Sequence, residues 1–476
     1  MKHVAIDVGA ESGRVMLADF DGRMIAVREV SRFPNDPVRL HGSLRWSMDG
    51  IVAGIDRGLA ALAGETVASL GVDTWGCDYG LVDEQGMLVE PPYHYRDHRT
   101  DGVMDRVLDR LGRDRIYGIT GIQCLPFNTL YQLVAANGAA PDVLRSAHRL
   151  LTIPDLINLR LTGRMASEFT NATTTQCVDA RTGTWAADLL DALYLPAHLF
   201  GEIVRPGAAL GPGPLGATVV APACHDTGSA FASVESGGDT AFLSSGTWSL
   251  LGAEMPAPVI TDRSRDLNFT NEGGVDGTFR LLKNIGGLWL LQACRRAWSE
   301  RGTTWSYGDL VEAARDERHA FRVVLDPDDP AFLNPPDMVA AIDAYCARTG
   351  QPTPDEAGGY ARAILESLAL KYRVVLDALE DVSGCAFRTI RIAGGGARNT
   401  LLAQFTADAT GRIVLAGPVE ATALGNIAVQ MVATGAVASI ADARAAIDRS
   451  FPPDRYEPRP SEAWDRALRQ LRGQLA

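Results

Sequence analysis

The stretch 221–252, APACHDTGSAFASVESGGDTAFLSSGTWSLLG, decides the fold of this chain. It opens on a polar tetrapeptide, HDTG at 225–228, which precedes a run of small residues. A Gly-Gly break at 237–238 follows, and then a Ser/Gly/Thr turn lies inside an otherwise apolar run, 240–254. The stretch therefore predicts a functional site at 225–228, a domain boundary at 237–238 and a second functional site at the Ser/Gly/Thr turn.

Asp226 is the residue in this stretch that we predict to act as a general base. It lies where a strand (218–221) gives way to a helical stretch (228–236), so we expect its carboxylate near a helix N-terminus, where free amides favour negative charge. An ionised carboxylate can take the proton of a hydroxyl that attacks phosphorus, a role worth roughly 10²–10⁴-fold in rate. From spacing alone, Asp226 as a plain N-cap and His225 as a packed or capping histidine stay open as alternatives.

Length and composition bound the possible functions. At 476 residues the chain exceeds one ordinary core, so two domains of about 200 residues or more are expected. With 46% hydrophobic and 22% charged residues, the composition predicts a soluble globular protein. The net charge of −13 argues against a nucleic-acid surface, whereas a small phosphorylated ligand needs only local charge.

Cysteine spacing and the first residues indicate the compartment. The seven cysteines are widely separated, with no CxxC pair and no Cys/His cluster of zinc spacing. The first residues already read as a strand, which leaves no room for a signal peptide, and no apolar run reaches membrane-spanning length. We therefore predict a reduced, cytoplasmic protein that is neither secreted nor embedded in a membrane.

Three Gly-rich turns follow predicted strands: GAESGR (9–14), SSGT (244–247) and GGGARN (394–399). Each lets backbone amides approach an anion. None ends in the Gly-Lys-Ser/Thr of a P-loop, and the last lacks the third Gly of a dinucleotide fingerprint, so singly each is typical of a plain tight turn. Together they predict a nucleotide bound between two lobes, and the similar hairpins at 7–18 and 240–254 suggest a duplication.

The remaining pattern is mostly helical. One apolar face over 360–379 predicts a core helix, and 400–410 and 426–434 are also predicted helices. A buried-type strand is expected at 387–393. The polar segment EFTNATTTQ (168–176) is interpreted as loop and cap, and whether it lines a site stays open.

Ten motifs in order carry a resemblance that covers the chain from its first strand to about residue 435. They are DVGAESGR (7–14), WGCDYGL (75–81), YRDHRT (95–100), GIQCLPFNTLYQL (121–133), EFTNATTTQ (168–176), CHDTGSA (224–230), LSSGTWSLLG (243–252), FTNEGG (269–274), KNIGGLWLLQ (283–292) and GGGARNTLL (394–402). The set resembles the FGGY carbohydrate kinases.

The resemblance implies an α/β chain with the two-lobed, actin-like (ribonuclease H-like) sugar kinase fold and a cleft between two duplicated domains. The expected divisions are a sugar-binding domain at 1–236, a nucleotide-binding domain at 237–435, and a helical segment at 436–476 that packs back on the body. The implied activity is ATP-dependent phosphorylation of L-rhamnulose on its 1-hydroxyl, with Mg²⁺, in L-rhamnose catabolism. The implied partners are the sugar and MgATP, with no nucleic acid and no membrane, for a monomer or small homo-oligomer.

The resemblance also implies roles by position. The implied ATP-binding residues are Ala10, Glu11, Ser12, Gly13, Arg14, Thr247, Gln292 and Gly395. The implied sugar-binding residues are Gly76, His225, Asp226, Thr227 and Asn284, with Asp226 as the base and Asp7 orienting Mg²⁺ through water. Glu11 is unusual, because a carboxylate beside a phosphate loop must point away from it or be paired.

Two alternatives stay open. The substrate can be another ketose such as L-fuculose or D-xylulose, and Trp75, Tyr79 and Phe127 form either an apolar wall for a deoxy sugar or ordinary core. The second alternative is a non-catalytic sugar-responsive regulator or an actin-like ATPase module. No basic helix-turn-helix is present at either end, and Asp226 and the phosphate loops are retained, which disfavours that alternative.

Overall fold

The chain divides into two compact units made of interleaved segments. The computed structural model describes residues 1–316, 318, 320–459 and 461–475. The first unit comprises Met1–Glu235, Glu254–Leu281 and Glu420–Phe451, and the second comprises Ser236–Ala253, Leu282–Val419 and the residues from Pro452 onward. This division differs from the continuous segments 1–236 and 237–435, because 254–281 and 420–451 make most of their contacts within the first unit.

Strands and helices alternate along the chain. The strands are β1 (Lys2–Val8), β2 (Ser12–Phe20), β3 (Ile25–Pro34), β4 (Val38–Leu40), β5 (Ser43–Arg45), β6 (Ser69–Thr74), β7 (Tyr79–Val82), β8 (Arg149–Thr152), β9 (Ser167–Glu168), β10 (Val178–Asp179), β11 (Thr184–Trp185), β12 (Ile203–Val204), β13 (Ala209–Pro212), β14 (Thr218–Val220), β15 (Thr240–Ser245), β16 (Trp248–Met255), β17 (Thr270–Gly273), β18 (Phe279–Gly286), β19 (Thr389–Ala393), β20 (Ile413–Ala416) and β21 (Asp454–Tyr456). The helices are α1 (Met48–Ala60), α2 (Val103–Leu111), α3 (Arg113–Thr120), α4 (Thr129–Ala139), α5 (Pro141–Ser146), α6 (Ile153–Thr162), α7 (Phe169–Thr174), α8 (Ala187–Ala192), α9 (Asp226–Ala232), α10 (Asp262–Asp266), α11 (Trp289–Glu300), α12 (Tyr307–Ala313), α13 (Met338–Thr349), α14 (Ala357–Ser383), α15 (Thr400–Thr410), α16 (Ala421–Ala433), α17 (Ile440–Ser450) and α18 (Glu462–Leu475).

The first unit is built on a sheet with the strand order β13-β14-β6-β1-β2-β3. Strand β1 is antiparallel to β2 and parallel to β6. Because side chains alternate along a strand, Val4 and Ile6 pack on one face with Trp46, whereas Ala5 packs on the other face with Leu424 of α16. Apolar residues thus cover β1 on both faces, and its polar residues, Lys2, His3 and Asp7, lie towards its two ends.

The second unit repeats this order. Its strands run β18-β16-β15-β19-β20-β21, with residues 282–286 of β18 belonging to this unit. Strand β15 is antiparallel to β16 and parallel to β19, and β19 is parallel to β20. The same arrangement of a hairpin followed by parallel strands supports the duplication predicted from the two hairpins.

The predicted helices are present with some shifted ends, and the stretch predicted at 228–236 is helix α9 at 226–232. Helix α14 contains the predicted apolar face, and α15 has the predicted bounds, while α16 begins five residues before the predicted start at 426. The interpretation of 168–176 as loop and cap was wrong about the loop, since Phe169–Thr174 forms the buried helix α7, whereas a cap is present at Glu168. The hydroxyls of Thr173 and Thr174 donate to carbonyls three residues earlier, and that of Thr170 donates to Glu168 at 2.6 Å, so these polar groups are satisfied inside the protein.

All seven cysteines are free thiols. Across the described part of the chain, none of the helices combines the length and apolarity that a membrane span requires. The last forty residues contain α17 and α18, as the helical expectation for 436–476 required, with α17 in the first unit and α18 in the second.

Candidate active site

Two buried carboxylates lie at the carboxyl ends of parallel strands in the first unit. Asp7 of β1 is opposite Asp73 of β6, and burial raises the pKa of both groups. Arg14, opposite Asp7 on β2, forms ion pairs with Asp7 and with Glu420, and its own charge and hydrogen bond partly offset the rise in the pKa of Asp7. The Oδ2 atom of Asp73 accepts a hydrogen bond from Asn426 at 2.6 Å, whereas its buried Oδ1 atom has no partner among the described residues.

Asp226 is the first residue of α9, which confirms its predicted place at a helix N-terminus. The cap residue is His225, so the plain N-cap interpretation of Asp226 is wrong. The Oδ1 atom of Asp226 accepts hydrogen bonds from the amide of Thr227 at 2.5 Å and from its hydroxyl at 3.1 Å. About a third of the side chain (32%) is solvent-accessible, so a carboxylate oxygen is available to a ligand.

The segment before Asp226 runs alongside the end of β6. The amide of Thr74 donates to the carbonyl of Cys224 at 2.9 Å. Asn171 of α7 spans the two segments, since its Nδ2 atom donates to the carbonyls of Trp75 at 3.3 Å and Cys224 at 3.4 Å. The charge of Asp226 is accordingly among the causes that raise the pKa of Asp7 and of Asp73, after burial. The three carboxylates thus occupy one edge of the sheet.

His225 belongs to a buried charged cluster. Its Nε2 atom is 3.3 Å from Oδ1 of Asp226, and its Nδ1 atom is 3.2 Å from both Oε2 of Glu272 and the guanidinium of Arg280. Arg280 is also 3.1 Å from Glu272. Burial would raise the pKa of Glu272, but Arg280 and then His225 outweigh it and lower that pKa.

Glu168 fixes the backbone that carries this cluster. It caps α7 by accepting from the amides of Thr170 and Asn171, and it also accepts from the amide of Cys224 at 3.0 Å. The hydroxyl of Thr170 in turn accepts from the amide of His225 at 3.1 Å. The sequence interpretation missed Glu168, Glu272, Arg280 and Asp73, although a carboxylate inside an otherwise apolar strand is a pattern that could have pointed to Asp73.

The predicted sugar residues are divided between the compact units. Gly76, His225, Asp226 and Thr227 lie in the first unit, and Asn284 lies on β18 in the second. Gly76 cannot be replaced easily, because a Cβ atom there would lie 2.9 Å from the hydroxyl of Thr174. That hydroxyl accepts the amide hydrogen bond of Cys77 at 3.1 Å, so the strand end and α7 are in direct contact.

The first predicted phosphate loop is the β1–β2 turn. Gly9 donates to the carbonyl of Ser12 at 2.9 Å and accepts from the side chain of Asn35 at 2.9 Å. A Cβ atom at Gly13 would lie 2.2 Å from the ring of Phe33, so the glycine is required by packing. Ala10 is half-buried. Glu11 is exposed, so its carboxylate is solvated.

The second unit brings Thr247, Gln292 and Gly395 to one edge of its sheet. The carbonyls of Gly246 and Thr247 accept from Leu288 at 2.9 Å and Trp289 at 3.1 Å, at the start of the helix that carries Gln292. Ser244 is opposite Ala393 in the parallel pair β15–β19, so the turns after both strands meet. Gly396 packs against this hairpin, since a Cβ atom there would lie 2.2 Å from the carbonyl oxygen of Ser245, and Gly395 is exposed.

The aromatic residues divide into core and partly exposed groups. Trp75 and Tyr79 are core residues, 7% and 5% exposed, and Phe127 is half-buried. The indole N–H groups of Trp46 and Trp75 donate to Asp78 at 2.6 Å and 2.9 Å. Burial raises the pKa of Asp78 to about 6.

The oxygen-rich edge of the first unit fits a hard cation bound mainly through water and phosphate. Among the described residues, no group of three or more His, Cys, Asp or Glu side chains is arranged to hold a metal ion. Asp7 and the unpartnered oxygen of Asp73 nevertheless supply the donor type that Mg²⁺ prefers, and Mg²⁺ ordinarily keeps several waters.

The fold is that of sugar kinases whose structures are solved. The ligand-bound xylulose kinase from Lactobacillus acidophilus superimposes with a TM-score of 0.81 at 17% identity, covering 100% of this chain and 98% of the other. The xylulose kinase from Rhodospirillum rubrum gives a TM-score of 0.81 at 19% identity, with the same coverage. At these identities the likeness establishes the fold class, an α/β sugar kinase fold.

Family models define the chain more closely. The N-terminal domain model of the FGGY family of carbohydrate kinases matches residues 3–213, and the C-terminal domain model matches 241–434. The chain belongs to the FGGY family of carbohydrate kinases, enzymes that transfer a phosphoryl group to a sugar. The rhamnulokinase of Bacteroides thetaiotaomicron is 44% identical over 97% of each chain. That of Pectobacterium carotovorum is 45% identical over 96% of this chain and 93% of its own.

Proposed function

We propose that this protein phosphorylates L-rhamnulose on its 1-hydroxyl with ATP, giving L-rhamnulose 1-phosphate and ADP in L-rhamnose catabolism. Relatives that are 44% and 45% identical over nearly the whole chain are rhamnulokinases, which supports this substrate over other sugars of the family. The observation that carries the reaction is the partly exposed carboxylate of Asp226 at the start of α9, beside the ends of β1 and β6. The proposal places the reaction in the cytoplasm, where ATP is available.

Asp226 is the proposed base. Its Oδ1 atom is engaged by Thr227 and lies near His225, which leaves Oδ2 to accept the proton of the 1-hydroxyl. Gly76, His225, Thr227 and Asn284 would contact the sugar. Removing the proton as the hydroxyl oxygen attacks makes it a competent nucleophile, and holding it in line with phosphorus lowers the barrier through positioning.

The nucleotide is proposed to contact backbone amides rather than charged side chains. The turn at Ala10, Glu11, Ser12, Gly13 and Arg14 and the turn at Thr247 would hold phosphates, while Gln292 and Gly395 would contact the rest of ATP. Asp7, with Asp73 beside it, would hold Mg²⁺ through water. When bound, Mg²⁺ supplies positive charge that offsets the negative charge of the transferred phosphoryl group.

The test is sugar-dependent ADP release measured by a coupled assay. Purified protein with MgATP is offered L-rhamnulose, L-fuculose, D-xylulose, L-ribulose, glycerol or no sugar. We expect kcat/KM to be highest for L-rhamnulose. Preference for another ketose would overturn the substrate while retaining the kinase. ATP binding without sugar-dependent release would instead favour a non-catalytic regulator.

A further inference from the structure

Arg280 and Glu272 form a charged cluster behind His225, away from the proposed substrate contacts. Arg280 is 1% exposed at its side chain and Glu272 is 9% exposed, so neither is placed to meet a substrate directly. Both nevertheless approach the Nδ1 atom of His225, whose Nε2 atom faces the proposed base. The inference below rests on the proposed function, because it concerns how that base is held.

The hydrogen-bond geometry discriminates between the two partners of Nδ1. The guanidinium of Arg280 is aligned to hydrogen-bond with Nδ1 at 3.2 Å. The Oε2 atom of Glu272 is equally near, yet it accepts no aligned hydrogen bond among the described residues. A guanidinium can only donate, so Nδ1 must present its lone pair.

We propose that Arg280 is a positioning residue that fixes the neutral, Nε2-protonated tautomer of His225. The Nε2–H group then faces Oδ1 of Asp226, 3.3 Å away, and the Oδ2 atom is left to the sugar hydroxyl. Glu272 balances the buried charge of Arg280, to which it lies 3.1 Å away, and the carbonyl of Gly273 accepts from Nε of Arg280 at 2.8 Å.

The charged groups around the ring agree with this arrangement. Asp226 faces it from α9, Glu272 from β17 and Arg280 from β18. Glu168 does not contact the ring directly, but Thr170 hydrogen-bonds with both Glu168 and the amide of His225. The negative charges of Glu168 and Glu254 also raise the pKa of Arg280 against the effect of burial. The positive charge of Arg280 opposes a second proton on the ring. Without Arg280, Glu272 would favour the imidazolium, and a charged ring would make Asp226 a weaker base.

The tautomer can be measured directly in the full-length protein. Long-range proton–nitrogen correlation spectra of protein with ¹⁵N-labelled histidine report which ring nitrogen bears hydrogen, and the His225 resonances are those lost in His225→Gln. We expect a neutral ring with the proton on Nε2 at neutral pH, unchanged in Glu272→Gln. An imidazolium, or a proton on Nδ1, would overturn the proposal. This readout needs no substrate, so its failure is distinct from failure of the proposed kinase activity.

A kinetic test separates positioning from packing. In Arg280→Met the cation beside Nδ1 is gone while Glu272 stays 3.2 Å from that atom, so the ratio of variant to wild-type kcat should fall about tenfold between pH 8 and pH 5.5, with the KM for the sugar little changed. Arg444→Met is the matched control, since Arg444 is also ion-paired, with Glu254 at 3.0 Å, and bonds to the other end of α9. Its ratio should not depend on pH. A pH-independent loss in Arg280→Met would overturn the proposal.

Discussion

The two units repeat one sheet but carry opposite chemistry at its carboxyl edge. In the first unit Asp7 and Asp73 lie opposite each other one residue before the end of the parallel pair β1–β6, and α9 adds Asp226. In the second unit the pair β15–β19 ends in Ser244 and Ala393, followed by glycine-containing turns. The first unit thus adds carboxylates to its open turn at 9–14, whereas the second unit presents open backbone at this edge.

The two copies of a duplicated fold can therefore have different chemical roles at equivalent edges. Carboxylates can accept a proton and attract a cation, whereas small residues let backbone amides approach an anion. Glycines allow close backbone approach in both units, for example Gly425 of α16 in the first unit and Gly396 in the second. Substitutions at these two positions should therefore fail in different ways.

The largest effect is expected for Gly425→Ala. A Cβ atom at this position would lie 1.7 Å from the carbonyl oxygen of Ser229, so α9 and α16 must separate and Asp226 must move. We expect a loss of about 3 kcal/mol in the free energy of unfolding. Thermal unfolding measures it. Gly118→Ala is the control, because nothing lies within 4 Å of a Cβ atom there, and an equal midpoint for both variants would refute the close approach.

A smaller and more selective effect is expected for Gly396→Ala. The new Cβ atom would press on the carbonyl oxygen of Ser245 at 2.2 Å and displace the turn that carries Gly395. We expect the KM for ATP to rise about tenfold, or about 1.4 kcal/mol, with the KM for the sugar within twofold of wild type. Initial rates at varied ATP and varied sugar measure both. Gly473→Ala on α18, with open space around it, should change neither constant. An increase in the KM for the sugar alone would contradict the proposal that this turn contacts ATP.

The smallest predicted effect is on the pH dependence of the unfolding temperature, and it comes from a buried carboxylate. In the second unit Glu366 is paired with Arg362 at 2.7 Å, whereas Asp155 in the first is held by the hydroxyl of Thr152 at 2.5 Å and the amide of Glu168 at 3.1 Å. Burial raises the pKa of Asp155 to about 8. Between about pH 4 and pH 8 the folded protein therefore holds a proton that the unfolded chain has lost, so the free energy of unfolding falls as pH rises through this range.

Asp155→Asn removes this dependence, because an amide does not titrate. The difference between the unfolding temperatures of wild type and variant should shift by a few degrees between pH 5 and pH 8, in favour of the variant at pH 8. Asp142→Asn, at an exposed carboxylate, should track the wild type at both values. Parallel behaviour of Asp155→Asn and wild type would contradict the buried, protonated Asp155.

Local pattern was enough to predict much of this architecture. The hairpins, the strand-to-helix step at Asp226 and the long helix α14 were predictable because alternation and helical periodicity are set by neighbours in sequence. The segment 168–176 was mispredicted because threonine and asparagine favour turns unless tertiary contacts satisfy them. Here Glu168 caps the helix, and the hydroxyl of Thr173 accepts from the amide of Gly273 at 2.8 Å.

The site residues were predictable only where they stand close together in the sequence. Asp226 and the glycine turns stand in short motifs, whereas Arg280 reaches His225 across 55 positions of sequence and Asn426 reaches Asp73 across 353. Periodicity within a short window carries no information about such contacts. For the same reason, the sequence could not show that 254–281 and 420–451 belong to the first unit, because this depends on contacts between distant residues.

The central claim is that Asp226 removes the proton of the sugar hydroxyl. The direct measurement is the single-turnover rate of phosphoryl transfer, by rapid quench at saturating MgATP and L-rhamnulose, for wild type, Asp226→Asn and Asp262→Asn. Asp262 is a fair control, since it is also the first residue of a short helix and its side chain is 89% exposed. We predict a rate lower by roughly 10² or more for Asp226→Asn, about 2.7 kcal/mol, with sugar affinity little changed and the control at the wild-type rate. A near-normal rate for Asp226→Asn would contradict the claim.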